Sequence, residues 1–425
     1  MLYSRRFAVS IAVSVLAISG CASKGKVDAE PFEPVLQQGI DVTGLVPDAR
    51  WTASLKTNKD LIFAFSPMVV GETLCASGQR AVACYDFATG ERRWRNKHKG
   101  LSAGVAMSDE LVIAATATGS VIAWDVATGA VLWKADAGAE VTATPAIGSL
   151  NGMSVVVVNT GAGRVRAFDA KDGSELWGHE QQVPSLTLRG NATPLIHKDV
   201  VLVGFDNGHL MSIGLVDGQV EWDTTVGRPE GRTELDRIVD IDSAPVVRRN
   251  DVYSSAYNSQ TRAIDLKTGR EVWSKAVSGS AGSNVDEKRL YVAGGDNQLY
   301  ALDVYSGRII WQLGTFDDDQ EQRRFPSLLT APAVYKDYVL VADSQGNLHG
   351  VKASDGTRVF SKSFAGGYSA APQIHGDALV MQSRFGKIQV IDLIKLEASD
   401  SQEALDAASG PVTTTVKTKP KGLFE

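Results

Sequence analysis

Short apolar runs separated by polar turns fill most of this 425-residue chain. Many of the runs are rich in β-branched residues, as in Val155–Val158 and Val201–Val203, and each is followed by a turn and a further short run. Runs of this length and composition are typical of β-strands joined by tight hairpins. The pattern predicts an all-β protein made of repeated strand, turn and strand units.

One phrase recurs seven times: a small residue, an apolar residue, usually Asp, two variable residues, a polar residue, Gly, and an aromatic residue four places later. A clear copy runs from Ala123 to Trp133. The intervals between the repeated glycines are 38 to 51 residues, which fits a four-stranded propeller blade better than a helical-pair repeat. These glycines are Gly90, Gly129, Gly173, Gly218, Gly269, Gly307 and Gly356.

The polar residues of the phrase have a structural explanation. Asp and Thr side chains can bond the backbone of a tight turn, and Gly supplies the positive φ that such a turn needs. An active site needs one unique constellation, whereas these acids recur at one offset. We therefore interpret them as turn formers and not as catalytic groups.

The repeated aromatic residues can each bury a large flat surface between neighbouring blades. Six copies end in Trp and one ends in Phe, and a further Trp precedes the first complete copy. The predicted blade-docking residues are Trp51, Trp94, Trp133, Trp177, Trp222, Trp273, Trp311 and Phe360.

The two ends of the repeat array complement each other. The final copy ends at Ile388–Leu393 with Asp392, but no Gly or Trp follows it, so its outer strand must come from elsewhere. Ala49–Leu55, ahead of the first complete blade, can supply that strand and leave no open sheet edge. We predict an eight-bladed β-propeller of four-stranded antiparallel blades over residues 46–395, closed by pairing of the N-terminal strand with the last blade.

Residues 1–20 have the features of a signal peptide. Arg5 and Arg6 precede an apolar run, Phe7–Leu16, that is too short to span a bilayer. The following Ile18-Ser19-Gly20-Cys21 matches a bacterial lipobox, which predicts acylation of Cys21. An ordinary signal peptide that contains a Cys is the alternative, and the export route stays open.

The residues after the lipobox predict a location. Ala22 and Ser23 replace the Asp that usually retains a lipoprotein at the inner membrane, so lipoprotein sorting rules imply the outer membrane, lipid-anchored and facing the periplasm. Residues 21–45 are expected to be the acylated Cys and a tether. Residues 396–425, rich in Ala, Ser, Thr and Lys, are expected to be a disordered tail.

Charge argues against a nucleic acid partner. Removal of residues 1–20 leaves 41 basic and 49 acidic residues, a formal charge of −8. No basic patch interleaved with aromatic residues is present. A mildly acidic surface of this kind keeps a periplasmic protein soluble.

The remaining cysteines have a structural interpretation only. Cys75 and Cys84 flank a turn at Ser77–Arg80 and would face each other on paired strands. The compartment permits a disulfide, but cross-strand geometry within one hairpin only sometimes fits, so both the bonded and the free state remain open.

The sequence contains no recognisable catalytic or metal-binding motif. The six histidines are dispersed without metal-ligand spacing, and there is no P-loop or nucleophile elbow. We therefore expect no catalytic residues, no metal site and no cofactor.

The repeated phrase resembles that of the pyrroloquinoline quinone enzymes, whose propellers also pair a turn Gly with a docking Trp. That resemblance implies a quinone held between a Trp and adjacent disulfide-bonded cysteines, beside a calcium ion and an acid. This chain has no adjacent cysteine pair. The missing pair argues against a quinone site of that kind. A quinone-dependent dehydrogenase, or another small-ligand-binding periplasmic propeller, is kept as the alternative function.

A second resemblance covers almost the whole chain. The lipobox, short tether and eight Trp-docked blades are similar to those of the BamB family, lipoproteins of the outer-membrane barrel-assembly (Bam) complex. The resemblance implies a non-catalytic scaffold that binds periplasmic domains of the central assembly protein (BamA type). It also implies help in delivering unfolded outer-membrane protein clients, for which strand addition at a sheet edge is one possible mode.

Two segments occupy similar offsets in consecutive blades and should be neighbours on one rim. One is Leu186-Thr187-Leu188-Arg189, just before Pro194, and the other is Asp240-Ile241-Asp242, just before Pro245. From spacing alone, the two acids simply share the solvated face of a strand.

The BamB resemblance implies a partner-binding role for these segments, because that family's partner surface carries a Leu-x-Leu-Arg and an Asp-x-Asp segment. Apolar anchors beside an Arg and facing acids make a plausible small interface. An intramolecular pair between the Arg and an Asp, which would organise the two loops, is an equally good physical role. The residues concerned are Leu186, Leu188, Arg189, Asp240 and Asp242.

Overall fold

The structure, a computed structural model, describes residues 45–57, 64–188, 190–314, 327–364 and 366–395. At residues 45, 46, 280, 394 and 395 it describes the backbone only. All the described residues belong to one compact unit. The expected signal peptide, Cys21, the tether and the tail lie outside these residues. No helix that could cross a membrane occurs in the described ranges.

The first four blades are sheets of four strands each. Blade 1 has β2 (Met68–Val70), β3 (Thr73–Gly78), β4 (Ala81–Asp86) and β5 (Arg92–Lys97). Blade 2 has β6 (Ala106–Met107), β7 (Leu111–Ala115), β8 (Ser120–Asp125) and β9 (Val131–Asp136). Blade 3 has β10 (Ala146–Leu150), β11 (Met153–Asn159), β12 (Arg164–Asp169) and β13 (Glu175–Glu180). Blade 4 has β14 (Leu195–His197), β15 (Val200–Gly204), β16 (His209–Gly214) and β17 (Val220–Thr225).

The other four blades repeat this plan. Blade 5 has β18 (Val246–Arg248), β19 (Asp251–Ser255), β20 (Thr261–Asp265) and β21 (Glu271–Lys275). Blade 6 has β22 (Gly279–Val285), β23 (Arg289–Gly294), β24 (Leu299–Asp303) and β25 (Ile309–Leu313). Blade 7 has β26 (Ala333–Tyr335), β27 (Tyr338–Ala342), β28 (Asn347–Lys352) and β29 (Arg358–Ser363). Blade 8 has β30 (Gln373–His375), β31 (Ala378–Gln382), β32 (Lys387–Lys395) and, as its outer strand, β1 (Leu45–Ser54).

Each blade is an antiparallel sheet whose strands follow in chain order, except that β1 pairs with β32 and completes blade 8. The predicted eight-bladed propeller, closed by its N-terminal strand, is therefore confirmed. Its core consists of eight apolar clusters, each shared by two consecutive blades. The cluster of blades 1 and 2, for example, joins Val82 to Trp124.

The repeated phrase forms the turn between the third and fourth strands of a blade. In blade 2, Asp125 Oδ1 accepts hydrogen bonds from the amide and the hydroxyl of Thr128 at 2.7 and 2.6 Å. Gly129 donates its amide to the Asp125 carbonyl at 2.9 Å and has a φ of +72°. The repeated aspartates are thus turn formers.

Each docking Trp lies on that turn of the next blade. The ring of Trp133 covers Gly173, and its Nε1 donates to the Ala170 carbonyl at 2.8 Å. All seven such tryptophans make the equivalent pair of contacts, with Nε1 to carbonyl distances of 2.7 to 3.0 Å.

The eighth junction differs for a topological reason. Phe360 faces blade 8, whose third and fourth strands come from opposite ends of the chain, so no tight turn joins them. Neither a turn Gly nor an indole N–H acceptor is required there, and the buried Phe360 packs in a cluster with Ile391 and Leu393.

The two cysteines form a disulfide. Cys75 and Cys84 are directly opposed on β3 and β4, with their Cα atoms 4.1 Å apart, and both are fully buried. The question that the sequence left open is answered in favour of the bonded state, as a structural element inside blade 1.

The two faces of the ring carry different connections. Because consecutive strands run in opposite directions, the turn between the second and third strands emerges on the same face as the connection to the next blade. We call this the connection face. The repeated Asp–Gly turns lie on the opposite face.

Candidate functional site

The two segments singled out in the sequence meet on the connection face. Segment 186–190 lies in the connection from blade 3 to blade 4, and segment 240–242 lies in the connection from blade 4 to blade 5. The amide of Leu188 donates a hydrogen bond to Asp240 Oδ2. At Gly190 an added Cβ would lie 2.8 Å from Asp242 Oδ1, so the missing side chain gives that carboxylate its room.

The predicted residues differ in exposure. Leu186 is 40% exposed, and Leu188 is half-buried. Arg189 lies outside the described residues, so neither its predicted partner contact nor its intramolecular alternative has a geometry here. Leu186 thus presents an exposed side chain in the first segment, whereas Leu188 is partly covered.

The two acids do not share a solvated strand face. Segment 240–242 is not a strand, and Asp240 is only 1% exposed, while Asp242 is half-buried. Its central residue, Ile241, is fully buried and donates its amide to the Phe205 carbonyl at 3.2 Å. The segment is pressed against the turn between β15 and β16, and this contact buries both carboxylates.

A third acid joins them. Asp206 lies in that turn of blade 4, is 6% exposed, and has a carboxylate oxygen within 4.8 Å of those of Asp240 and Asp242. Sequence reasoning missed it because Asp206-Asn207-Gly208 has the composition of an ordinary turn. We call these three residues the acid cluster.

Burial dominates the electrostatics of the acid cluster. It raises the pKa of Asp206 to about 8, with a further contribution from the charges of Asp240 and Asp242. It raises the pKa of Asp242 to about 7 and that of Asp240 to about 6, the latter against the lowering effect of the Leu188 amide. Within the described ranges, no Lys or Arg forms an ion pair with these carboxylates.

The sequence motifs also did not single out an exposed leucine on the connection from blade 4 to blade 5. Leu235 is 66% exposed on a short turn closed by reciprocal hydrogen bonds between Thr233 and Asp236. Asn258 Nδ2 donates to the Leu235 carbonyl at 3.3 Å and ties this turn to blade 5. Consecutive connections therefore display Leu186 and Leu235 to solvent on one face.

The described centre of the ring lacks the aromatic and disulfide groups that hold the cofactor in the quinone enzymes. A channel of about 290 Å³ is lined mainly by small residues, such as Thr144 and Ala331, with Asp242 as an acid, and no Trp or Cys belongs to its described lining. The Cys75–Cys84 disulfide lies buried inside blade 1 and joins residues nine apart. The aromatic plane and the vicinal disulfide that hold the quinone in the related enzymes have no counterpart among the described residues.

Comparisons with known proteins identify the family of the chain. Residues 78–313 match the family model of the outer membrane protein assembly factor BamB. The BamB of Bordetella pertussis is 30% identical over 385 residues, which cover 90% of this chain and 95% of that protein. The BamB of Burkholderia pseudomallei is 31% identical over 391 residues, which cover 89% and 96%.

Solved structures share the fold. BamB from Moraxella catarrhalis superposes with a TM-score of 0.71 at 23% identity, covering 82% of this chain and all of that one. Quinohemoprotein alcohol dehydrogenase from Comamonas testosteroni gives a TM-score of 0.63 at 13% identity, covering 84% of this chain and 78% of that one. At these identities the likeness concerns the fold alone, whereas the family model and the sequence relatives go further: the chain belongs to the BamB family of outer membrane protein assembly factors.

Proposed function

We propose that this chain is a non-catalytic scaffold for outer membrane protein assembly, whose connection face binds the periplasmic domains of the central assembly protein (BamA type). Family membership supports the assembly role. The observation that carries the binding site is the hydrogen bond from the Leu188 amide to Asp240, which joins the connections on either side of blade 4 into one preformed surface.

The chemistry of this surface suits a protein partner. Leu186 and Leu235 are exposed apolar side chains on connections anchored to rigid blades. A preformed surface binds with a smaller loss of conformational entropy than a mobile loop. The residues that would contact the partner directly are Leu186, Leu188 and Arg189. Asp240, with Asp242 in the same segment, would hold the Leu188 backbone in place.

The finer location belongs to the same proposal. Assembly factors of this family are associated with the outer membrane, and acylation of Cys21 would attach the chain there, facing the periplasm. Residues 21–45 would then act as the tether of the propeller. Unfolded outer-membrane proteins are the expected clients, held while the central assembly protein inserts them.

The dehydrogenase alternative has less support. The relatives named above are assembly factors, and the axial channel offers no fit to a quinone. The likeness to the quinohemoprotein enzyme concerns only the propeller scaffold, which many unrelated functions share.

A binding titration tests the proposal. The purified chain is titrated with the periplasmic domains of the BamA-type protein from the same organism at low salt, and we expect saturable binding. Leu186→Ala should weaken it about tenfold, as loss of an apolar anchor does. Leu132→Ala is the matched control, because Leu132 is 51% exposed on the outer strand of blade 2.

Two results would count against the proposal. One is the absence of binding by the folded wild-type chain, and the other is an equal loss of affinity in the Leu186 and Leu132 variants. Circular dichroism of each variant establishes that it is folded before its affinity is interpreted.

A further inference from the structure

The acid cluster holds carboxylate oxygens that the protein itself does not satisfy. Asp240 is 99% buried, and although its Oδ2 accepts the Leu188 amide, its Oδ1 is buried with no hydrogen-bond partner in the part of the chain described. Asp242 Oδ1 is likewise buried without a hydrogen-bond partner among the described residues. Buried polar atoms normally have partners, so two unpartnered oxygens in one cluster are a candidate binding site.

Backbone hydrogen bonds hold the segments that carry the three carboxylates. The carbonyl of Asp240 accepts the Tyr257 amide at 2.9 Å, and the neighbouring Ile241 amide bonds to the carbonyl of Phe205, next to Asp206. Gly190 leaves the space that the Asp242 carboxylate occupies. The oxygens are therefore brought within 4.8 Å of one another by a turn and a connection that these hydrogen bonds hold together.

The charge balance also points to a cation. Three carboxylates would carry three negative charges into a poorly solvated place, and their raised pKa values express the cost of that charge. Buried charges in proteins are paired or coordinate metals. A bound cation would remove the repulsion and satisfy both orphan oxygens at once.

We propose that Asp206, Asp240 and Asp242 form a binding site for a calcium ion on the connection face. The donor set is oxygen only, which selects hard cations over Zn²⁺ or Cu²⁺. Ca²⁺ accepts several protein carboxylates in flexible geometry, whereas Mg²⁺ usually keeps most of its water and uses one or two. A cluster of three buried carboxylates therefore suits Ca²⁺ better.

The site has a path to solvent and a structural consequence. Asp242 lines the axial channel together with Thr193 and Ser243, so an ion can enter from the centre of the ring. Once bound, it would cross-link the turn of blade 4 to segment 240–242, which already holds Leu188. Calcium would thereby stiffen the connection face.

Calorimetric titration of the chelator-treated chain with CaCl₂ at one fixed pH tests this site without any partner, so its outcome is independent of the proposed function. We expect one saturable site with a Kd of about 10⁻⁴ to 10⁻³ M, as in extracellular calcium modules. Asp206→Asn should weaken binding about tenfold or more, because affinity follows the number of charged ligands.

Two further variants sharpen the test. Gly190→Ala keeps every carboxylate but pushes Asp242 out of place, and it should also weaken binding. Asp199→Asn removes the same charge from an exposed turn of blade 4 on the opposite face, and it should leave binding unchanged. The absence of saturable binding up to about 10 mM Ca²⁺, well above the range expected for such modules, would overturn the site. Equal affinity in wild type, Asp206→Asn and Gly190→Ala would overturn it as well, even with all variants folded.

Discussion

Each docking tryptophan joins two blades through one side chain. Trp133 leaves blade 2, covers Gly173 of blade 3 and bonds the Ala170 carbonyl, and the same pair of contacts occurs at seven junctions. The sequence indicates that the aromatic residues lie between blades, but it does not show which Gly each one meets. Within one copy of the phrase the Gly and the Trp are four residues apart, whereas the contact joins the Trp of one copy to the Gly of the next.

Gly173→Ala should destabilise the protein more than Gly152→Ala. Both glycines have a positive φ, +77° and +82°, so both variants bear the cost of a left-handed Ala, about 1 kcal/mol. A Cβ at Gly173 would also lie 2.6 Å from the ring of Trp133, whereas one at Gly152 meets nothing within 4 Å. Overpacking adds about 1–3 kcal/mol at Gly173 only.

Urea denaturation of the two variants measures this difference in the free energy of unfolding. Equal destabilisation would mean that the Trp ring yields to the new methyl group without cost. The close approach of Trp and Gly would then have no part in holding blades together.

Closure of the ring depends on one element from the far end of the chain. β1 pairs with β32 from Leu45↔Lys395 to Ser54↔Lys387, with a bulge between Ala49 and Trp51. The residue at the bulge, Arg50, pairs with Asp392. Beyond the bulge, Trp51 donates its Nε1 to the Phe87 carbonyl of blade 1, so β1 completes blade 8 and docks it onto blade 1.

Deletion of residues 45–54 should open the ring. Without β1, β32 becomes an exposed sheet edge and blade 1 loses its docking Trp, so we expect a lower thermal midpoint and aggregation on heating. Deletion of residues 22–44, which belong to the predicted tether, is the control and should lower the midpoint less. Calorimetry with light scattering records both properties, and the same midpoint in the two deletions would contradict the role of β1.

The features that the sequence could predict are those that its repeats determine along the chain. Blade number and ring closure follow from a repeated phrase, because periodicity is a property of the chain itself. The acid cluster does not follow from the repeated phrase. Asp206 lies in an ordinary Asp-Asn-Gly turn, and it comes close to Asp240 only when the connection between blades 4 and 5 packs against that turn. Burial of Asp240 was also missed, because alternation along a strand does not apply to a connection held by a neighbouring turn.

A rigid ring also limits how a partner can act on it. The blades are joined by eight shared apolar clusters and seven Trp–Gly contacts, so binding on the connection face should change little elsewhere. The affected residues should be confined to the connections that display Leu186 and Leu235. This confinement distinguishes a scaffold that presents one face from a protein that rearranges on binding.

Amide hydrogen exchange of the full chain, with and without the periplasmic domains of the BamA-type protein, tests the proposed binding face most directly. We expect protection in residues 181–194 and 226–245, which form the connections around blade 4, and unchanged exchange in the outer strands β9 and β21. Protection centred on those outer strands or on the Asp–Gly turns, with none in the two connections, would place the partner elsewhere and contradict the connection face as its binding site.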